Sequence, residues 1–106
     1  MRVLIKTTNF SLTQALENLV QEKLVLPVEK LIAKIDEKTN IIFDIELAKT
    51  SQRHQKGRIW RAEAQLSLPG RKTPLRAEAV AESLRIAVDE TKKEILREIK
   101  KYRNKN

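Results

Sequence analysis

The sequence predicts an α+β fold: a two-layer β-α-β-β-β-α sandwich, a four-stranded sheet with two helices on one face. Three observations carry this. Two central segments alternate apolar and polar residues with period two, two longer segments repeat apolar residues at helical spacing, and a Pro-Gly turn joins the last two strand segments. With 106 residues the chain is long enough for one domain and too short for two ordinary ones, so residues 1–106 are expected to form a single unit.

Residues 2–7 (RVLIKT) are short, β-branched and apolar and read as the first strand. Thr13 can cap the helix that follows by accepting from an amide of its first turn, with Ser11 and Gln14 as a competing capping box. Leu16, Leu19, Val20, Leu24, Val28, Leu31, Ile32 and Ile35 then form one apolar stripe on a helix running to about residue 37. Pro27 lacks an amide and crowds the preceding turn, which predicts a kink or a break there. In residues 41–49, Ile41, Phe43, Ile45 and Leu47 share one face, and in residues 58–68 Trp60, Ala62, Ala64, Leu66 and Leu68 do so. One apolar face at period two marks antiparallel strands covered on one side only. On this reading Trp60 belongs to the core, near Phe43 and Leu84. Leu68-Pro69-Gly70-Arg71 is a turn in which proline presets its φ and glycine accepts the positive φ that follows. Residues 72–79 return as a fourth strand, placed at the sheet edge by Pro74. A helix from about residue 80 to 103 closes the chain, with Leu84, Ala87, Val88, Thr91, Ile95, Ile99 and Tyr102 in one stripe and Ile86 and Leu96 outside it.

Composition narrows the function classes. The chain has no cysteine, which excludes disulfides, thiolate zinc sites and a cysteine nucleophile. Its apolar runs are a few residues long, too short to span a membrane. The first ten residues lack the apolar run and small-residue site of a signal peptide, so a cytoplasmic location is the default expectation. The net charge of +8 is unevenly placed. Residues 1–48 carry six basic and seven acidic side chains, residues 49–61 five basic and none acidic, and residues 71–106 eleven basic against six acidic. Segregated positive charge is the footprint of a polyanion partner such as RNA.

The candidate contact residues follow from that distribution. Lys49, Arg53, Lys56, Arg58 and Arg61 make up the acid-free stretch. On the last helix Lys93, Arg97 and Lys101 recur at every fourth position away from the apolar stripe, with Lys100 beside them. Such a row steps by about 6 Å, comparable to the spacing of phosphates along a strand. The bland alternative is a solvated helix face on which Glu90, Glu94 and Glu98 offset Lys93 and Arg97. His54 is the single histidine, flanked by Arg53 and Lys56, and lacks partners for catalysis or metal binding. A hydrogen-bonding or stacking role against RNA suits it better. Gly57 and Gly70 are turn glycines rather than a phosphate loop. No constellation of residues supports an enzyme, a cofactor, a metal or a small-molecule substrate.

Several stretches in order are similar to one family. Phe10–Leu16 (FSLTQAL) opens the first helix; Lys49-Thr50 precedes His54 and Gly57; Arg61–Glu63 (RAE) follows; and Leu75–Asp89 (LRAEAVAESLRIAVD) leads into the basic helix. Together these resemble the ribosome hibernation-promoting factor and ribosome-associated inhibitor family of bacteria across nearly the whole chain. The resemblance implies the same β-α-β-β-β-α sandwich, similar to a double-stranded-RNA-binding domain. It implies as partners the small ribosomal subunit with its rRNA and the 70S ribosome. It implies a non-enzymatic silencer acting at the decoding region, across the mRNA channel and tRNA sites, during starvation or stress. Arg97 and Lys101 match basic positions of the family's second helix, whereas Glu94 stands where the pattern has lysine and Lys93 offers a cation beside it. Around Pro27 the chain holds one residue more than the pattern. The end at Asn106 fits the short form or the N-terminal domain of a long form. The rival expectations are a general RNA-binding or structural ribosomal protein, and a basic module that binds an acidic protein.

Overall fold

The structure, a computed structural model, describes residues 1–36, 40–50 and 57–105. Its elements are β1 (Arg2–Thr8), α1 (Gln14–Val20), a π-helical turn (Gln21–Val25), α2 (Leu26–Asp36), β2 (Ile42–Lys49), β3 (Trp60–Ser67), β4 (Leu75–Ala81) and α3 (Leu84–Lys105). The strands lie side by side in chain order. β1 is parallel to β2, because the helical run between them carries the chain back to the same end, while β2–β3 and β3–β4 are antiparallel. The expected α+β sandwich is the fold found, with a mixed sheet.

Each boundary has a local cause. Asn9, with φ at +67°, ends β1 and donates from its amide side chain to the Lys49 carbonyl at 2.9 Å. Of the two possible caps for α1, Thr13 is the one used: its hydroxyl accepts from the Leu16 amide at 3.2 Å. The β3–β4 turn closes through the Arg71 amide on the Leu68 carbonyl at 3.3 Å, with Gly70 at φ +80° as the turn type requires. β4 begins after Pro74, at the sheet edge, and runs to Ala81, two residues beyond the expected end. The last helix therefore starts later than residue 80, because Val80 and Ala81 pair with Arg61 and Trp60. Ser83 caps it by accepting from the Ile86 amide at 3.2 Å.

The helix does not break at Pro27. Its adjustment comes one turn earlier, where the Leu26 amide donates to the Gln21 carbonyl five residues back. A π turn takes up one residue more than an α turn. Pro27 then sits in the first turn of α2, where its missing amide costs little. Val20, Leu24, Val28 and Ile32 stay in phase and are fully buried.

These side chains form one core with Phe43, Ile45 and Leu47 of β2, Ala62, Ala64 and Leu66 of β3, and Ala87, Val88, Ile95 and Ile99 of α3. Thr91 is also fully buried, and its hydroxyl donates to the Ala62 carbonyl at 3.2 Å. Leu96 packs against the core from its margin, whereas Ile86 is exposed. Trp60 corrects the sequence reading. It lies on the covered face, but the β2–β3 register sets Phe43 opposite Leu66 and Trp60 opposite Lys49, at the far end of the sheet. There it is half-buried, met edge-on by Phe10 with ring centroids 5.3 Å apart, and Lys49 Nζ lies 5.7 Å from its centroid.

Candidate nucleic-acid interface

α3 brings eight basic and four acidic residues onto one helix. Its apolar stripe faces the sheet, so Lys93, Arg97, Lys100 and Lys101 stand on the exposed side. With Leu96 and Asn104 they line one shallow surface depression. Arg97 pairs with Glu94 at 3.0 Å and Lys101 with Glu98 at 3.3 Å, each three residues back. Both cations remain more than 60% exposed, so these pairs are weak and leave the charge open to a partner. Lys93 and Lys100 form no ion pair among the described residues. The row expected from the sequence is present, with its glutamates beside it rather than across it.

The acid-free stretch is divided. Arg58 donates from Nη2 and Nε to the Val80 carbonyl, at 2.8 and 3.3 Å. It borders a depression shared with Ile86 and Glu90 on the first turns of α3, so it adjoins the α3 face. Lys49 sits at the end of β2, over Trp60. Arg53, His54 and Lys56 lie outside the described residues.

Arg61 stands elsewhere. Strand alternation turns it to the open face of the sheet, opposite the helices. There Arg2, Lys6, Arg61 and Arg76 are matched by Asp44, Glu46, Glu63 and Glu78. Arg61 reaches Glu63 at 2.6 Å, Glu78 at 2.7 Å and Glu46 at 3.5 Å, and Arg76 binds Glu63 and Glu78. Its hydrogen bond and ion pair with Glu78, aided by Glu63 and Glu46, outweigh its partial burial and raise its proton affinity further. A guanidinium held by three carboxylates has little left to offer a phosphate.

The structure also gathers cations the sequence reading passed over. Lys30 and Lys34 of α2 come beside Arg103 of α3 in a groove with Leu31 and Ile35. Their spacing of four on one helix was visible in the sequence, but the near-neutral charge of residues 1–48 hid them. Among the described residues no group of histidine, cysteine and carboxylate side chains could hold a metal ion. No helix among them is long and apolar enough to cross a membrane.

A mixed sheet balanced in charge on its open face thus carries helices that expose a band of cations. The chain belongs to the family described as Sigma 54 modulation protein / S30EA ribosomal protein, whose sequence pattern matches residues 3–106. It is thus a member of a family of ribosome-associated factors, the one the sequence resembles. The fold is similar to that of the Protein Y N-terminal domain of Thermus thermophilus, at 23% identity and a TM-score of 0.63, covering 96% of this chain and 99% of that one. It is similar also to a ribosomal subunit interface protein from Coxiella burnetii, at 18% identity and a TM-score of 0.67, covering 98% and 99%. No curated protein matches the chain.

Proposed function

We propose that this protein binds the small ribosomal subunit through the exposed cations of α3 and silences translation under starvation or stress by occupying the mRNA and tRNA channel at the decoding region. The observation that carries this is the row Lys93, Arg97, Lys100 and Lys101, exposed along one helix of a domain whose opposite face is charge-neutral. Cations at helical spacing meet phosphates of rRNA, and each contact releases counterions. A basic face at that place stands in for contacts that mRNA and tRNA make, so binding there excludes theirs. Family membership and the fold shared with a ribosomal subunit interface protein support the ribosome as partner. Arg58 and Lys49 extend the contact toward the start of α3, and Arg53, His54 and Lys56 of the neighbouring connection are assigned to it on sequence grounds. The protein acts by binding rather than by catalysis, in the cytoplasm, where ribosomes are.

The test is competition. Initiator tRNA and mRNA at saturation should displace the protein from small subunits, and excess protein should block initiation. Chemical footprinting should show protection at the decoding region. Protection confined to other sites, with mRNA and tRNA still bound, refutes silencing while leaving RNA binding intact. A protein bound stoichiometrically to ribosomes of growing cells would instead be a structural component.

A further inference from the structure

A second depression, of about 400 Å³, lies where the β3–β4 turn meets the end of α3. Pro69, Gly70 and Arg71 line it from the turn, and Glu98, Lys101 and Tyr102 from the helix. The turn is a built one. Arg71 Nε donates to the Thr73 carbonyl at 3.1 Å, which fixes the guanidinium plane, and its terminal nitrogens form no ion pair among the described residues. Gly70 leaves open space where a side chain would stand. Lys72, next in the turn, is exposed and adds a cation at the rim. Glu98 is the acidic group facing the notch, and it holds Lys101 at 3.3 Å. Arg71 and Lys101 outnumber it.

Lys101 lines this notch and also the depression that holds Lys93, Arg97 and Lys100. The two depressions therefore adjoin at Lys101, so a strand of phosphates laid along the α3 row can pass over Lys101 onto the turn. We infer that the notch takes a backbone phosphate of the bound RNA, clamped between the Arg71 guanidinium and the Lys101 ammonium, so that the RNA-contacting surface extends from α3 onto the β3–β4 turn. This rests on the RNA-binding reading above. A guanidinium with its terminal nitrogens free suits a phosphate's paired oxygens, and the flexible lysine supplies the second charge by leaving Glu98.

The test measures affinity of the whole chain for purified small ribosomal subunits across a salt series, for the wild type, Arg71→Gln and Arg97→Gln. Loss of one phosphate contact lowers the slope of log affinity against log salt by about 0.7–0.9. Arg71→Gln should show that drop with an unchanged melting temperature, since the side chain is exposed, and Lys101→Gln should show it too. If Arg71→Gln keeps the wild-type slope while Arg97→Gln loses part of it, the notch assignment fails and the RNA-binding reading stands. If the wild type binds without salt dependence, that reading falls and the notch with it. Titration with inorganic phosphate alone addresses the other source of the same chemistry. Saturable phosphate binding abolished by Arg71→Gln, with the ribosome slope unchanged, would make the notch a site for a free anion and overturn its assignment to RNA.

Discussion

Thr91 of α3 donates its hydroxyl to the Ala62 carbonyl of β3 at 3.2 Å, a buried bond from helix to sheet that this rotation of the helix satisfies. With Thr91, Ala87, Val88 and Ile95 turned inward and fully buried, Lys93, Arg97 and Lys100 are left on the outer side. The small side chains of Ala62 and Ala64 give the helix room to come close. Thr91→Val keeps the shape but removes the donor and should lower stability by about 0.5–1.5 kcal/mol. Urea denaturation checks this through a lower midpoint at unchanged slope. A variant as stable as the wild type would mean that packing alone fixes the rotation.

Phe43 and Trp60 share the covered face but not the same depth. Phe43 is fully buried opposite Leu66, whereas Trp60 is half-buried at the sheet's end against Phe10 and Lys49. Phe43→Ala should therefore cost about 3–5 kcal/mol. Trp60→Ala should cost less, about 1–3 kcal/mol, from partial burial and one edge-to-face contact. Denaturation of the two variants side by side decides it, and equal costs would return Trp60 to the core.

What could be read in the sequence was whatever repeats locally. Period two placed Phe43, Ile45, Leu47, Ala62, Ala64 and Leu66 on the covered face, and helical spacing placed Lys93, Arg97 and Lys101 opposite Thr91 and Ile95. The π turn is not legible there, because Val20, Leu24, Val28 and Ile32 keep step with a plain helix, and the wider turn shows in the hydrogen bonding, as from the Leu26 amide to the Gln21 carbonyl. For Trp60 the alternation gives the face but not the depth, since register gives the position along that face. Arg61 shows the same limit. Its stretch contains no acid, but its partners Glu46 and Glu78 come from the neighbouring strands, which pairing alone brings alongside.

The network on the open face makes stability depend on pH. Burial raises the proton affinity of the Glu63 carboxyl, but hydrogen bonds from Arg76 and Gln65 and the charges of Arg61 and Arg76 more than offset this and hold it below the ordinary glutamate value. The folded state thus binds fewer protons at this site than the unfolded chain does. Its contribution is complete above the ordinary glutamate value of about 4.3 and is lost as the pH falls through the lower, folded one. Glu63→Gln should be less stable than the wild type at neutral pH, and the gap should close on acidification through that window. Unfolding free energies measured from neutral to acidic pH test it; a gap that stays constant would remove Glu63 as a source of acid sensitivity.

The two faces of the domain should separate stability from binding. Arg61 lies among Glu46, Glu63 and Glu78, so Arg61→Gln removes the one cation all three share and leaves Arg76 to hold Glu63 and Glu78. That should lower stability by about 1–2 kcal/mol for a partly exposed network. Ribosome affinity per folded molecule should stay unchanged, because the face it occupies points away from α3. Lys93→Glu with Arg97→Glu should do the reverse. Both side chains are exposed, and the one ion pair lost, Arg97 with Glu94, is worth about 0.2–0.5 kcal/mol. Binding should weaken strongly, with the salt slope falling by about 1.4–1.8 for two lost phosphate contacts. Denaturation and ribosome binding on the same preparations give both quantities. If Arg61→Gln instead loses affinity while melting like the wild type, the sheet's open face meets the RNA, its carboxylates must exchange partners on binding, and α3 is not the principal contact.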